Sequence, residues 1–80
     1  MTTALLLIAH GSRNPEANAD LHHLADELRR RGTYSIVESA FLELAEPTIA
    51  QGGRRCVAPG IERVVLLPTP TVPPLVIIPK

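Results

Sequence analysis

Leu5-Leu6-Leu7-Ile8 is an unbroken apolar run that stops at His10-Gly11-Ser12. A strand wetted on one face alternates apolar and polar residues, whereas one without alternation must be covered on both faces, as in a parallel sheet flanked by helices. Residues 4–9 are therefore read as a first, central strand. The run is far too short to span a bilayer, and no basic residue precedes it as in a secretory leader.

The rest of the chain punctuates in the same sense. Asn14-Pro15-Glu16 combines a side-chain acceptor for a helix N-cap, a proline suited to the first helical position and an acid in the first turn. Ala17, Leu21, Leu24, Ala25 and Leu28 follow at helical spacing and predict one apolar stripe on the sheet. Asp20, Asp26, Glu27, Arg29 and Arg30 should face water, and Gly32 should end the helix in the left-handed conformation. Residues 34–42 read as a second strand and residues 61–67 as a third. Between them Pro47 predicts a helix start, with Ile49, Cys56 and Val57 on one face. Gly52 and Gly53 should keep that helix short, each costing about 1 kcal/mol relative to alanine.

This β-α-β-α-β order predicts an α/β fold, an open parallel sheet with flanking helices and right-handed crossovers. Five of the eight prolines lie in the last thirteen residues. The expected division is a domain over residues 1–68 and a divergent, proline-rich segment over 69–80. In that segment Pro70, Pro73 and Pro74 favour an extended path, and Leu75 to Ile78 could add a short edge strand. Eighty residues bury a modest core, and three strands would leave two open edges, so self-association is expected.

Charge and composition narrow the chemistry. Eight basic and eight acidic residues balance, and Tyr34 and Phe41 are the only aromatics, which argues against a nucleic-acid partner. The lone Cys56 cannot form an internal disulfide and reads as a small buried hydrophobe; the expected setting is the cytoplasm, with no membrane association. His22 and His23 are adjacent on a helix, about 100° apart, and read as surface residues. Arg29-Arg30-Arg31 reads as a solvated helix end.

In a sheet of this kind ligands bind beyond the carboxyl ends of the strands. That edge carries His10, Gly11, Ser12 and Arg13 after the first strand and Glu43 after the second. A neutral imidazole can ligate divalent cobalt, iron or nickel, and can also accept a proton. Taken alone, His10 could as well be a hydrogen-bonded strand-end residue, and Glu43 a solvated loop acid. The amides of the first helical turn could hold an anion.

The segments Ala4-Leu5-Leu6-Leu7-Ile8-Ala9-His10-Gly11-Ser12-Arg13, then Phe41-Leu42-Glu43 with Pro47 four residues on, then Val64-Val65-Leu66-Leu67-Pro68, resemble successive landmarks of the sirohydrochlorin chelatases of the CbiX and SirB kind. The resemblance covers about residues 4 to 68. It implies a chelatase-like fold and an enzyme that inserts divalent cobalt, iron or nickel into a sirohydrochlorin-like tetrapyrrole, in cobalamin or siroheme synthesis, with no organic cofactor. It further implies that His10 is a catalytic metal ligand, that Glu43 is the acid beside the metal, and that Ser12 and Arg13 border the tetrapyrrole. In the family the third strand leads into an aromatic-containing loop and a second metal-site histidine. Here Thr69-Pro70-Thr71-Val72-Pro73-Pro74 follows Pro68, and no histidine comes after His23, so a divergent or truncated end is expected. Two alternatives stand beside this reading. One is a non-catalytic, metal-binding fragment derived from such an enzyme. The other is a phosphoryl-transfer enzyme of the histidine-phosphatase type, although that family has arginine where Ala9 precedes His10.

Overall fold

An apolar strand with no polar face needs a cover on each side, and the chain supplies both. The computed structural model describes residues 2–69 and, as backbone, residues 75–77. Strand β1 (Thr3–Ala9) is followed by helix α1 (Pro15–Arg31), β2 (Ile36–Phe41), α2 (Ile49–Cys56), β3 (Arg63–Pro68) and β4 (Leu75–Ile77). The sheet order is β2-β1-β3-β4, with β1 parallel to both neighbours and β4 antiparallel to β3. This is the α/β architecture expected, with β1 at its centre and the short edge strand present over Leu75–Ile77. The extended path expected at Pro70, Pro73 and Pro74, and the expectation for Ile78, fall outside the described residues.

Alternate residues of β1 feed two cores. Leu5 and Leu7 pack with Leu21 and Ala25 of α1 and with Val37 and Phe41 of β2. Ala4, Leu6 and Ile8 pack on the other face with Ala40, Cys56 and Val64. Burying each large side chain contributes about 1.5–3 kcal/mol. Burial, and after it the Glu38 carboxylate, push the Cys56 thiol up to about 11, so it stays a protonated apolar filler.

The first helix begins as expected: Asn14 Oδ1 accepts from the Glu16 amide, Pro15 is the first helical residue, and Gly32 closes the helix at φ 71°. Its apolar stripe is narrower than expected. Leu21 and Ala25 are buried, whereas Ala17 is exposed and Leu24 is 41% exposed, because α1 lies over β1 and β2 and leaves the same side of β3 uncovered.

The second helix departs further from expectation. It starts at Ile49 rather than Pro47, since the Pro47 carbonyl accepts from the Phe41 amide and Thr48 pairs with Phe41 at the sheet edge. Thr48 then caps the helix in a reciprocal box with Gln51. Ile49 and Val57 are exposed, and Gly52 and Cys56 make the buried face instead. The glycines are thus unequal. A Cβ on Gly52 would stand 2.9 Å from Leu6 Cδ1 and 3.0 Å from Ala40 Cβ, while one on Gly53 would meet nothing within 4 Å. At Gly52 the backbone of α2 comes up against the sheet, and Cys56 one turn on packs into the same core.

The strands also shift slightly. The second is shorter than 34–42 because Ser35 is tied to Thr3 O just outside the strand and the chain bends at Leu42. The third begins at Arg63 because Ile61 closes a turn onto Ala58 O. The expected set of three strands becomes four, because β4 pairs along β3, and the two outer strands are then β2 and β4.

The contrast between the two glycines is testable by urea denaturation. Gly53→Ala is expected to raise stability by up to about 1 kcal/mol through helix propensity. Gly52→Ala should lower it by about 1–2 kcal/mol, because overpacking against Leu6 and Ala40 outweighs the same gain. Equal midpoints for the two variants would contradict this account of helix docking.

Candidate functional site

Parallel strands β1 and β2 end side by side, and their pairing runs on into the loops. Leu42 N donates to Ala9 O and Glu43 N donates to His10 O, each at 3.0 Å. The two loop backbones come so close that only glycine fits at position 11. Gly11 has φ 102°, and a Cβ there would lie 1.8 Å from Glu43 O. This contact explains how residues 33 positions apart in the chain come to lie side by side.

His10 and Glu43 leave adjacent backbone positions, and His10 Nε2 lies 2.8 Å from Glu43 Oε1. Their side chains are 73% and 56% exposed, so the pair is open to solute. Two donors each about 2.0–2.1 Å from one cation, at right angles, stand about 2.9 Å apart. The spacing of this hydrogen-bonded pair therefore also suits two neighbouring ligands of a divalent ion. Among the described residues no group of three or more His, Cys, Asp and Glu side chains converges, so these two would leave the remaining coordination positions to water or substrate.

The loop after His10 is held by a residue that the sequence reading missed. The Asn18 carboxamide pairs with the Ser12 backbone in both directions, accepting from Ser12 N at 3.0 Å and donating to Ser12 O at 2.6 Å. Asparagine is poorly placed inside a helix unless its side chain bonds elsewhere, and that was the available signal. Ser12 Oγ accepts from Asn14 N at 3.0 Å, which ties the loop to the helix cap. Arg13 is exposed in the same loop. Ser12 and Arg13 thus adjoin the His10–Glu43 pair in the chain without bonding to it.

Three further features surround the pair. Leu42 and Leu44, on either side of Glu43, are 59% and 53% exposed, and Leu44 takes φ 65°, a left-handed conformation that costs a non-glycine residue about 1–2 kcal/mol. A cleft of about 220 Å³ opens at the end of β1, lined by Ala9, Ala17, Asp20, Leu21, Leu24 and Thr69. His22 is exposed as expected, yet its Nδ1 lies 2.8 Å from the hydroxyl of buried Ser39, and its ring meets the edge of Phe41 at 5.5 Å. His22 thereby braces the strand that leads to Glu43. His23 is exposed.

Comparison with known proteins bears on the same residues. A family model described as CbiX matches residues 4–69. The chain is 37% identical over 65 residues to a sirohydrochlorin cobaltochelatase of Methanocaldococcus jannaschii, covering 81% of this chain and 46% of that protein. It is 39% identical over 64 residues to the chloroplastic sirohydrochlorin ferrochelatase of Arabidopsis thaliana, covering 80% and 28%. A sirohydrochlorin cobaltochelatase of Priestia megaterium is 36% identical over 66 residues, covering 82% and 22%. The chain thus spans half the length or less of these curated relatives. No helix among the described residues is long and apolar enough to cross a membrane.

The geometry predicts weak, saturable binding of divalent cobalt, followed by calorimetry or by the metal's visible absorbance. His10→Ala should abolish it, and Glu43→Gln should weaken it on the order of tenfold. Binding should also weaken as the solution is made acidic, since protons compete for the imidazole nitrogen. Unchanged affinity in His10→Ala would remove His10 as the ligand.

Proposed function

The chain belongs to the CbiX family, and on that premise we propose that it carries the metal-presenting part of a sirohydrochlorin chelatase site. The reading rests on one observation above all, the solvent-open His10–Glu43 pair at 2.8 Å on the carboxyl edge of the sheet. The substrates would be a divalent ion, cobalt or iron as in the relatives' names, and a sirohydrochlorin-like tetrapyrrole.

The chemistry follows from charge balance. Insertion of a divalent ion into the macrocycle forms metal–nitrogen bonds and releases two pyrrole protons, so the site must present the ion and also take up protons. His10 would hold the ion through a ring nitrogen, and Glu43 would help to ligate it on arrival. As the ion passes to the macrocycle, the freed carboxylate would accept the pyrrole protons in turn and release each to solvent. Arg13 would pair with a substrate carboxylate through its two-nitrogen fork, and the Ser12 hydroxyl would donate nearby. The exposed Leu42 and Leu44 would give an apolar macrocycle a dry contact beside the acid.

We further propose that residues 1–68 form the chelatase-like unit and that residues 69–80 diverge from it. A cytoplasmic setting is in keeping with the single, buried Cys56 thiol. Membership of the CbiX family leaves the histidine-phosphatase alternative without support. The reading as a metal-binding fragment retains one specific ground: among the described residues no third His, Cys, Asp or Glu side chain converges with His10 and Glu43.

Cobalt insertion into sirohydrochlorin, followed by the pigment's absorbance, tests the proposal. The chain is expected to catalyse slowly and His10→Ala not at all, while replacing residues 69–80 with the corresponding continuation of a longer relative should raise the rate sharply. Misplacement of about 1 Å in a reacting group can cost on the order of 100-fold. If the parent and His10→Ala give the same rate as protein-free buffer, the fragment reading stands; if His10→Ala turns over like the parent, the site is misassigned.

Association between copies is a separate proposal. The α1-side residues of β3, Val65 and Leu67, are only half-buried, and Leu24 beside them is exposed. Sedimentation across a concentration series should show a shift toward a larger species, and a monomer at every concentration would contradict it.

A further inference from the structure

Gly11 solves one problem for the site and creates another. Without a Cβ it lets the loops cross, but at φ 102° it is also the residue about which the chain turns most freely. The two sides of this pivot are held by different elements. On the near side His10 follows directly on β1, and its carbonyl accepts from Glu43 N at 3.0 Å, so the sheet fixes it. On the far side Ser12 and Arg13 lie beyond the last pairing of the two strands. There the Asn18 carboxamide takes the place of a neighbouring strand, accepting from Ser12 N at 3.0 Å and donating to Ser12 O at 2.6 Å. The turn of α1 that carries Asn18 leaves no amide for an anion. Pro15 has no amide hydrogen, Glu16 N donates to Asn14 Oδ1, and Ala17 N and Asn18 N donate to Asn14 O at 3.1 and 3.4 Å. A carboxylate that approaches this loop must therefore meet a side chain. The cation exposed there is Arg13, which has no ion pair among the described residues, so only the backbone beside it sets its direction.

We propose that Asn18 is a positioning residue for tetrapyrrole binding: it locks the far side of the Gly11 pivot and so aims Arg13 at a substrate carboxylate, without acting on the metal pair. The proposal rests on the chelatase reading given above. A residue held at one atom can still swing about that bond, whereas Ser12, held at both its N–H and its C=O, cannot turn without breaking two. Ser12 Oγ accepts from Asn14 N at 3.0 Å, so Arg13 lies between two residues that are themselves tied down. A guanidinium mounted on such a segment gives up less freedom when it binds, and the saving appears as affinity. His10 keeps its own anchor in the sheet. The two halves of the loop are thus separable: metal binding is independent of Asn18, and macrocycle binding depends on it.

The test measures sirohydrochlorin affinity without metal, from the shift in the pigment's absorbance, and cobalt affinity separately. Asn18→Ala is expected to weaken pigment binding on the order of tenfold, as for other residues that orient a ligand from behind. Its cobalt affinity should stay within about twofold of the parent's, which also reports that the fold is intact. Asn18→Asp keeps an acceptor for Ser12 N but turns an oxygen toward Ser12 O, and should lose pigment affinity in the same way; it decides the question should Asn18→Ala fail to fold. Adding Asn18→Ala to Arg13→Ala should cost little beyond Arg13→Ala alone, because no guanidinium is then left to aim. A merely structural role would give additive losses and would weaken cobalt as well. Unchanged pigment affinity in both Asn18 variants, an equal loss of cobalt affinity, or additivity with Arg13→Ala would overturn the proposal. A parent that binds no sirohydrochlorin, or an Arg13→Ala variant that binds it as tightly as the parent, would instead strike the underlying reading of Arg13, and the proposal with it.

Discussion

Everything else in the molecule depends on the burial of β1 on both faces. Its side chains alternate between two cores, so neither helix can be removed without wetting half the strand, and neither neighbouring strand without freeing a row of backbone groups. A domain of this size has little other apolar surface to bury. The close contact at Gly52 shows how tightly the second cover must be applied: α2 is short, and it reaches the sheet only because one of its residues has no side chain.

The candidate site is a by-product of the same arrangement. Parallel strands that start in register also end in register, so the residues just beyond β1 and β2 are brought together without any contact dedicated to that purpose. What is dedicated is the crossing of the loops. Gly11 allows the backbone carrying Glu43 to pass within contact distance, and Asn18 holds the following peptide from the helix side. His10 and Glu43 are thus presented by rigid backbone while their side chains remain in solvent, a setting in which an ion can arrive and leave.

The flanks of the sheet show how a small open architecture manages its exposed backbone. One margin is extended by an antiparallel strand, and the other is occupied by an arginine, a proline carbonyl and a close helix. These coverings come from residues that a linear reading assigns to other duties: Arg29 to a solvated helix end and Pro47 to a helix start. Both assignments miss partners that are far away in the chain or that belong to another element.

Local pattern was enough for the order of elements, the central place of the first strand, the cap at Asn14, the stop at Gly32 and the positions of His10 and Glu43 at the carboxyl edge of the sheet, since these follow from periodicity and turn chemistry within a few residues. The run around His10-Gly11-Ser12-Arg13, with Phe41-Leu42-Glu43, also sufficed to identify the family. Tertiary structure alone decided that Gly52 is a contact rather than a weakness, that Leu24 stays exposed while Leu21 does not, that Asn18 supports the loop and that Arg29 reaches the sheet edge. It also decided the 2.8 Å approach of His10 to Glu43. The reason is physical: propensity and periodicity act along the chain, whereas close approach, exposure and the choice of a hydrogen-bond partner depend on what packs across from each residue, which exists only once the sheet has formed.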